Sequence, residues 1–149
     1  ETTKRTMLID QPTGVGRNGL VCRLMVDETV VTFINVHFDH IGKATQIDNA
    51  LRLLESSEPP VCLLGDFNCD SDDPLLVPLR SVLSDTCLLA DTALSGEALV
   101  RGTMLTTDRR RDYIWVDPHT FSVQEAGLLA KPHRTISDHI GYYADVILK

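Results

Sequence analysis

Short polar side chains able to hold a metal ion, activate water or grip an anion recur at the ends of apolar runs in this sequence. Asn35, His37, Asp39 and His40 close or follow the run TVVTFINVHF (29–38). Asp66 and Asn68 follow VCLL in Gly65-Asp66-Phe67-Asn68, Asp112 opens DYIWV, and Asp138-His139 precedes YYADVIL. Asp, Asn and His are short enough for a rigid strand end to fix them at a common rim, the usual place for a binding site. Several carboxylates at one rim repel each other unless a cation or a protonated histidine lies among them. Carboxylate and amide oxygens are hard donors, better suited to Mg²⁺ or Mn²⁺ than to zinc.

Each group taken alone has a plainer explanation. His37 fits a core histidine at the end of a buried strand. Asp66 fits a turn aspartate closing an Asx-turn. Ser137-Asp138-His139 fits a cap, and Asp112 fits a partner for the preceding arginines. Arg109, Arg110 and Arg111 read as a solvated loop face. Four such groups, in order and each beside an apolar strand, weigh against coincidence.

The elements that must position them can be read from the apolar pattern. Leu20–Val26 and Thr29–Phe38 read as antiparallel strands joined at Asp27-Glu28. Residues 11–19 read as loop; GVGRNG there neither follows a strand nor opens a helix, which argues against a phosphate-binding glycine loop. Lys43–Glu55 sets Ile47, Ala50, Leu51 and Leu54 at helical spacing, and Pro59-Pro60 closes that segment. Val61–Leu64 is a short buried strand. Asp72-Asp73-Pro74 carries a helix-start signal, with Pro78 expected to interrupt the helix it opens. Residues 85–102 look irregular. Asp112–Val116 and Tyr142–Leu148 read as strands, Phe121–Glu125 as a weaker one, with Asp145 facing out of the last.

The chain has 149 residues, enough for one domain with a sizeable core. Its net charge of −7 excludes a basic nucleic-acid wrapper, although a local patch can still grip phosphate. No apolar run reaches the roughly 18–20 residues of a membrane-spanning helix. Cys22, Cys62, Cys69 and Cys87 form no CxxC pair, so reduced thiols in an intracellular, cytoplasmic protein are expected.

Two known patterns use these residues. His37-Phe38-Asp39-His40-Ile41-Gly42 resembles the end of the HxHxDH signature of metallo-β-lactamase-fold hydrolases, with Asn35 at the first histidine position. The ordered set Asn35-Val-His37-Phe-Asp39-His40, Gly65-Asp66-Phe67-Asn68, Arg111-Asp112-Tyr113-Ile114 and Ser137-Asp138-His139 resembles the endonuclease/exonuclease/phosphatase superfamily more fully, over about residues 19–149. That resemblance implies an α/β fold, half of a four-layer α/β sandwich of mainly antiparallel mixed sheets flanked by helices. It implies a Mg²⁺- or Mn²⁺-dependent phosphoester hydrolase, a nuclease, phosphodiesterase or phosphatase.

Within the resemblance, Asp66 orients or deprotonates the attacking water and Asn68 holds the scissile phosphate. His139 contacts a phosphate oxygen, and Asp112 holds its other ring nitrogen. His37 binds phosphate or protonates the leaving oxygen. Asp138, with Asp66 and His139, serves the metal, while Asn35 and Thr103 support the site. The substrate classes implied are nucleic acid, a phospholipid head group or a small phosphoester. An Asn and a metal-ligand Glu that precede these motifs in the superfamily have no counterpart upstream of Asn35. Residues 1–149 are therefore expected to be the C-terminal part of the domain, its N-terminal half being the expected partner. Arg111 departs from the usual apolar residue. A non-catalytic half-domain acting as an interaction module is the alternative.

Overall fold

Asp27 and Glu28 both adopt positive φ (43° and 68°), the primed turn whose twist matches that of the strands it joins. They close a hairpin of β2 (Arg17–Val26) and β3 (Thr29–His37), paired antiparallel from Val26↔Thr29 to Gly19↔Val36. This computed structural model describes residues 16–90, 96, 101–129 and 136–149, with the backbone alone for 3–9. That backbone is β1 (Thr3–Ile9), antiparallel to β2.

From β3 the chain crosses through α1 (Lys43–Glu55) into β4 (Val61–Asp66), which lies parallel to β3. Such a crossover needs a helix to return the chain to the same end of the sheet. The two-residue β5 (Ser84–Asp85) and β6 (Asp112–Val116) complete a six-stranded sheet in the order β1-β2-β3-β4-β6-β5. Strands β7 (Phe121–Leu128) and β8 (Tyr142–Leu148) pair antiparallel as a second sheet. This mixed α/β architecture agrees with the expected fold class.

Alternation along the strands decides what each face of the large sheet meets. Ile34, Val36, Leu63, Tyr113 and Trp115 point to the helix side and pack with Ile47, Ala50 and Leu53 of α1. Val31, Phe33, Cys62, Leu64, Ile114 and Val116 point the other way, against Phe121, Val123, Val146 and Leu148 of the small sheet. Fully burying one such side chain contributes roughly 1.5–3 kcal/mol. Phe67 is buried in an aromatic cluster with Phe38, Tyr113 and Trp115, at centroid distances of 5.0, 5.5 and 6.2 Å.

Several sequence expectations change. Arg17–Gly19 belongs to β2 rather than to a loop, because it pairs with β1 and Gly19 pairs also with Val36 of β3. Residues 11–15 lie outside those described. Pro78 does not interrupt: it sits in the first turn of α2 (Val77–Arg80), where its missing N–H costs nothing. A 3-10 turn, Pro74–Leu76, precedes α2, and the Asp73 carboxylate caps it by accepting from Leu75 N–H at 3.0 Å. Of the stretch expected to be irregular, Asp85 caps α3 (Thr86–Leu89); residues 91–95 and 97–100 lie outside those described. Strand β7 runs on to Leu128 past a register shift between Val123 and Glu125.

Candidate active site

Register places the first three groups. His37 pairs with Asp66 across β3 and β4, and Asp66 pairs with Asp112 across β4 and β6. Paired residues share a face, so the three side chains form a row at one end of the sheet. His37 Nε2 lies 3.3 Å from Asp66 Oδ2, and the His37 side chain is exposed. Gly65 makes the row possible. It has φ +133°, and a Cβ there would clash with the Val36 carbonyl on the neighbouring strand.

Asn68 fixes the Asp66 carboxylate. Its backbone N–H donates to Oδ1 at 2.8 Å, and its Nδ2 lies 3.3 Å from Oδ2. The same Nδ2 donates to the Phe38 carbonyl at 2.8 Å, tying this turn to the end of β3. Asn68 adopts φ +51°. Its carbonyl accepts from Lys43 Nζ at 3.2 Å and from Arg111 Nη1 at 2.7 Å. The buried Phe67 between Asp66 and Asn68 anchors the turn from below.

His139 arrives from the loop before β8. Its N–H donates to Ser137 Oγ at 2.9 Å, and Met104 pairs with it in an isolated antiparallel bridge. His139 Nδ1 lies 2.7 Å from Asp112 Oδ2, and its Nε2 lies 4.0 Å from Asp66 Oδ2. Thr103 holds the start of β6. Its buried hydroxyl accepts from the N–H groups of Arg111 and Asp112 at 2.9 and 3.1 Å, and its carbonyl accepts from Ile140 N–H at 2.7 Å.

The ionisation of the row follows from this geometry. Burial raises the Asp66 pKa, opposed by the Asn68 N–H; the Asp112 charge raises it further, against His37 and His139. Burial alone would lower the His139 pKa, but the hydrogen bond to Asp112 and the charges of Asp112, Asp66 and Asp138 outweigh it and raise it. An aspartate with a raised pKa is a stronger base toward water, and a raised histidine pKa favours the cationic form that can meet an anion.

The metal reading also has structural support. Asp66, Asp112 and His139 offer ligand atoms that all lie within 4.8 Å of one another. The Asp112 charge that raises the Asp66 pKa is one that a dication would offset, and the oxygens of both suit a hard ion. Asp138 lies outside this trio but lines a cleft of about 570 Å³ with Asp66 and His139 of it and with His37, Asn68, Arg109 and Arg111. Asn35 sits two residues before His37 on the same face of β3 and is exposed.

The alternative built on HFDH is not realised as a metal centre among the described residues. Asp39 is buried and turns to Arg17 at 3.5 Å, while Ile41 N–H donates to its carboxylate at 3.3 Å. His40, 2.9 Å from Asp39, is exposed. The arginine run is likewise not one solvated face. Arg110 is buried in a two-point pair with Asp85 at 2.6 and 2.8 Å, and Arg111 bonds the Asn68 carbonyl. Lys43, Gln46 and Arg111 are supports that sequence reasoning missed. Gln46 Oε1 accepts from Asp39 N–H at 2.8 Å and its Nε2 donates to the Ile41 carbonyl at 2.9 Å, fastening the loop after His37 to α1. A polar residue on the apolar stripe of α1 was the available signal.

A family model, Endonuclease/Exonuclease/phosphatase family, matches residues 8–139. Among solved structures, a functionally unknown conserved protein from Enterococcus faecalis V583 is similar at 24% identity and a TM-score of 0.81, over 99% of this chain and 66% of its own. A mannosyl-6-phosphatase from Bacteroides thetaiotaomicron VPI-5482 aligns at 24% identity and a TM-score of 0.73, over 98% and 66%. TDP2 from D. rerio, complexed with a single-strand DNA product, aligns at 14% identity and a TM-score of 0.68, over 99% and 67%. At these identities the likeness establishes the fold. The chain spans just under two thirds of the first two structures. No curated protein matches it significantly in sequence.

Proposed function

The chain belongs to the Endonuclease/Exonuclease/phosphatase family, and on that premise we propose that it carries the catalytic rim of a divalent-metal-dependent phosphoester hydrolase. The row His37–Asp66–Asp112, from which His37 and Asp66 line one cleft together with His139, carries this reading. The hard oxygens of Asp66 and Asp112 would hold Mg²⁺ or Mn²⁺, with Asp138 at the cleft rim reaching it through water. A dication there supplies charge neutralisation for the anionic phosphate and its leaving oxygen.

The chain's own residues do the rest. Asp66, held by Asn68 and shifted toward neutrality, orients a water and accepts its proton for in-line attack on phosphorus. His139, its cationic form favoured by Asp112, donates from Nε2 to a non-bridging oxygen as charge builds. His37, exposed at the end of the row, donates to phosphate or protonates the leaving oxygen. Asn68 supports Asp66 and, on release of its weak Nδ2 contact, offers a donor to phosphate. In this reading residues 1–149 are the C-terminal part of the domain and a preceding segment would supply further metal ligation; the chain's 66% coverage of the first two structures fits a part of a longer chain.

The test is hydrolysis of bis(p-nitrophenyl) phosphate and p-nitrophenyl phosphate with Mg²⁺, Mn²⁺ or Zn²⁺. Activity with the oxygen-preferring ions is expected, and Asp66→Asn or His139→Ala should lower it about 10²–10³-fold. Undiminished turnover in either variant, or preference for Zn²⁺, refutes the assignment.

A further inference from the structure

The cleft carries a charge that this chemistry leaves unused. Arg109 lines it, with Thr107 nearby, and the Arg109 side chain is exposed. Among the described residues its guanidinium has no hydrogen-bond or ion-pair partner, neighbouring Asp108 included. The flanking arginines are both committed, Arg110 to buried Asp85 and Arg111 to the Asn68 carbonyl and, at 3.4 Å, to Asp70.

The backbone beneath this free side chain is fixed. The Arg109 carbonyl accepts from the N–H groups of Thr103 and Met104 at 3.0 and 3.1 Å. Gly102, at φ +66°, closes the loop from behind; a Cβ there would clash with that same carbonyl. Thr103 and Arg110 on either side of the loop closure are buried. An unpaired guanidinium hung from so constrained a backbone costs less ordering to bind than one on a loose loop. The protein is acidic overall, at −7, so an unpaired guanidinium on its cleft is not part of a generally basic surface.

We propose that Arg109, with the Thr107 hydroxyl, reads a second phosphate on the substrate whose scissile phosphate lies against Asp66 and His139. A guanidinium fork matches phosphate oxygens two at a time. A cleft of about 570 Å³ is within the range that holds a whole small molecule, well beyond one phosphoryl group. The second phosphate can come from a small bisphosphate or from the next nucleotide of a strand. The inference rests on the hydrolase reading for the position of the first phosphate.

Calorimetric binding of inorganic phosphate and inorganic pyrophosphate to the full chain, at one saturating Mg²⁺ concentration, tests it without turnover. Pyrophosphate should bind at least about tenfold tighter, and Arg109→Gln should bring the ratio of the two affinities near one, with Arg109→Lys intermediate. Equal affinities in the unmodified chain, or a ratio unchanged by Arg109→Gln, overturns the proposal. Competition by a 5′-phosphorylated dinucleotide and by a sugar bisphosphate identifies the source, the Arg109-dependent competitor being the one read. An Arg109-dependent ratio without any ester hydrolysis would leave this subsite standing and remove the hydrolase assignment. Hydrolysis in which Arg109→Gln slows mono- and bisphosphorylated esters equally would do the reverse.

Discussion

His139 Nδ1 and Asp112 Oδ2 lie 2.7 Å apart, and this bond decides which ring nitrogen faces the cleft and in which charge state. Asp112→Asn should lower the His139 pKa and reduce turnover by about 10–100-fold, the usual cost of losing a residue that orients a catalytic ligand. Folding raises the His139 pKa above 6.5. The stability this contributes is therefore complete below about 6.5 and disappears as pH climbs through the folded value. Urea denaturation should show a gap between the parent and Asp112→Asn at pH 5.5 that narrows by pH 8.5. An NMR titration of the imidazole gives the pKa directly, and an unmoved His139 would remove Asp112 from this role.

Gly65 is the place where the row is most sensitive to one added carbon. Gly65→Ala meets both a disallowed φ of +133° and the Val36 carbonyl, so β3 and β4 must separate just where His37 and Asp66 pair. A loss of about 3 kcal/mol or more is expected in chemical denaturation, with metal binding weakened in whatever folds. Gly16→Ala is the control: a Cβ there has nothing within 4 Å, and its change should stay within about 0.5 kcal/mol.

The sequence was most readable where one local signal was decisive. Lys43–Glu55, Asp112–Val116 and Tyr142–Leu148 have the predicted bounds, and Asp145 is exposed between half-buried Ala144 and Val146. The pairing of His37, Asp66 and Asp112 was implicit in strand ends sharing a rim, but their register depends on a parallel β3–β4 crossover that no local pattern encodes. Arg109, Arg110 and Arg111 were unreadable for a related reason. Three identical residues meet three different environments: Arg110 pairs with Asp85 of β5, Arg111 bonds the Asn68 carbonyl after β4, and Arg109 lines the cleft with its guanidinium unpaired among the described residues. Asp66 shows that two readings of one residue can both apply: it accepts the i+2 N–H of an Asx-turn and stands at the centre of the row.

Asp85 and Arg110 test how the loop before β6 is held. The pair is buried, and the guanidinium also stacks over Tyr113 and Tyr142 at 4.4 and 5.0 Å. Asp85→Ala leaves a buried cation unpaired and should cost about 3–5 kcal/mol in urea unfolding. The double change Asp85→Leu with Arg110→Met removes both charges and should cost distinctly less. Equal losses would mean that the ion pair itself, rather than avoidance of an unpaired charge, holds the loop.

Thiol chemistry offers an independent check on the core. Burial pushes the Cys62 pKa up to about 12 and the Cys69 pKa up to about 11, and it raises that of Cys87. Iodoacetamide at pH 8 should modify half-buried Cys22 first, the other three reacting only on unfolding. Because folding raises these thiol pKa values above 9.0, stability should decline as pH rises beyond that value. Rapid native-state labelling of Cys62 by mass spectrometry would contradict the packing of the two sheets.

Arg111 departs from the apolar residue that the superfamily pattern leads one to expect, and its contacts give the departure a purpose. Its Nη1 and Lys43 Nζ both donate to the Asn68 carbonyl, holding a left-handed asparagine whose N–H in turn holds Asp66. Arg111→Met removes the shorter of these bonds while keeping the stem that packs beside the cleft. It should lower kcat about tenfold, as losses of supporting groups around a site do. The pH–rate limb that reports Asp66 should move with it, since the Asn68 N–H lowers the Asp66 pKa and a loosened Asn68 lets it rise. Arg111→Lys retains one donor and should recover part of the rate. A kcat and pH profile unchanged in Arg111→Met would show that Lys43 and the Phe38 carbonyl suffice to hold Asn68 in place.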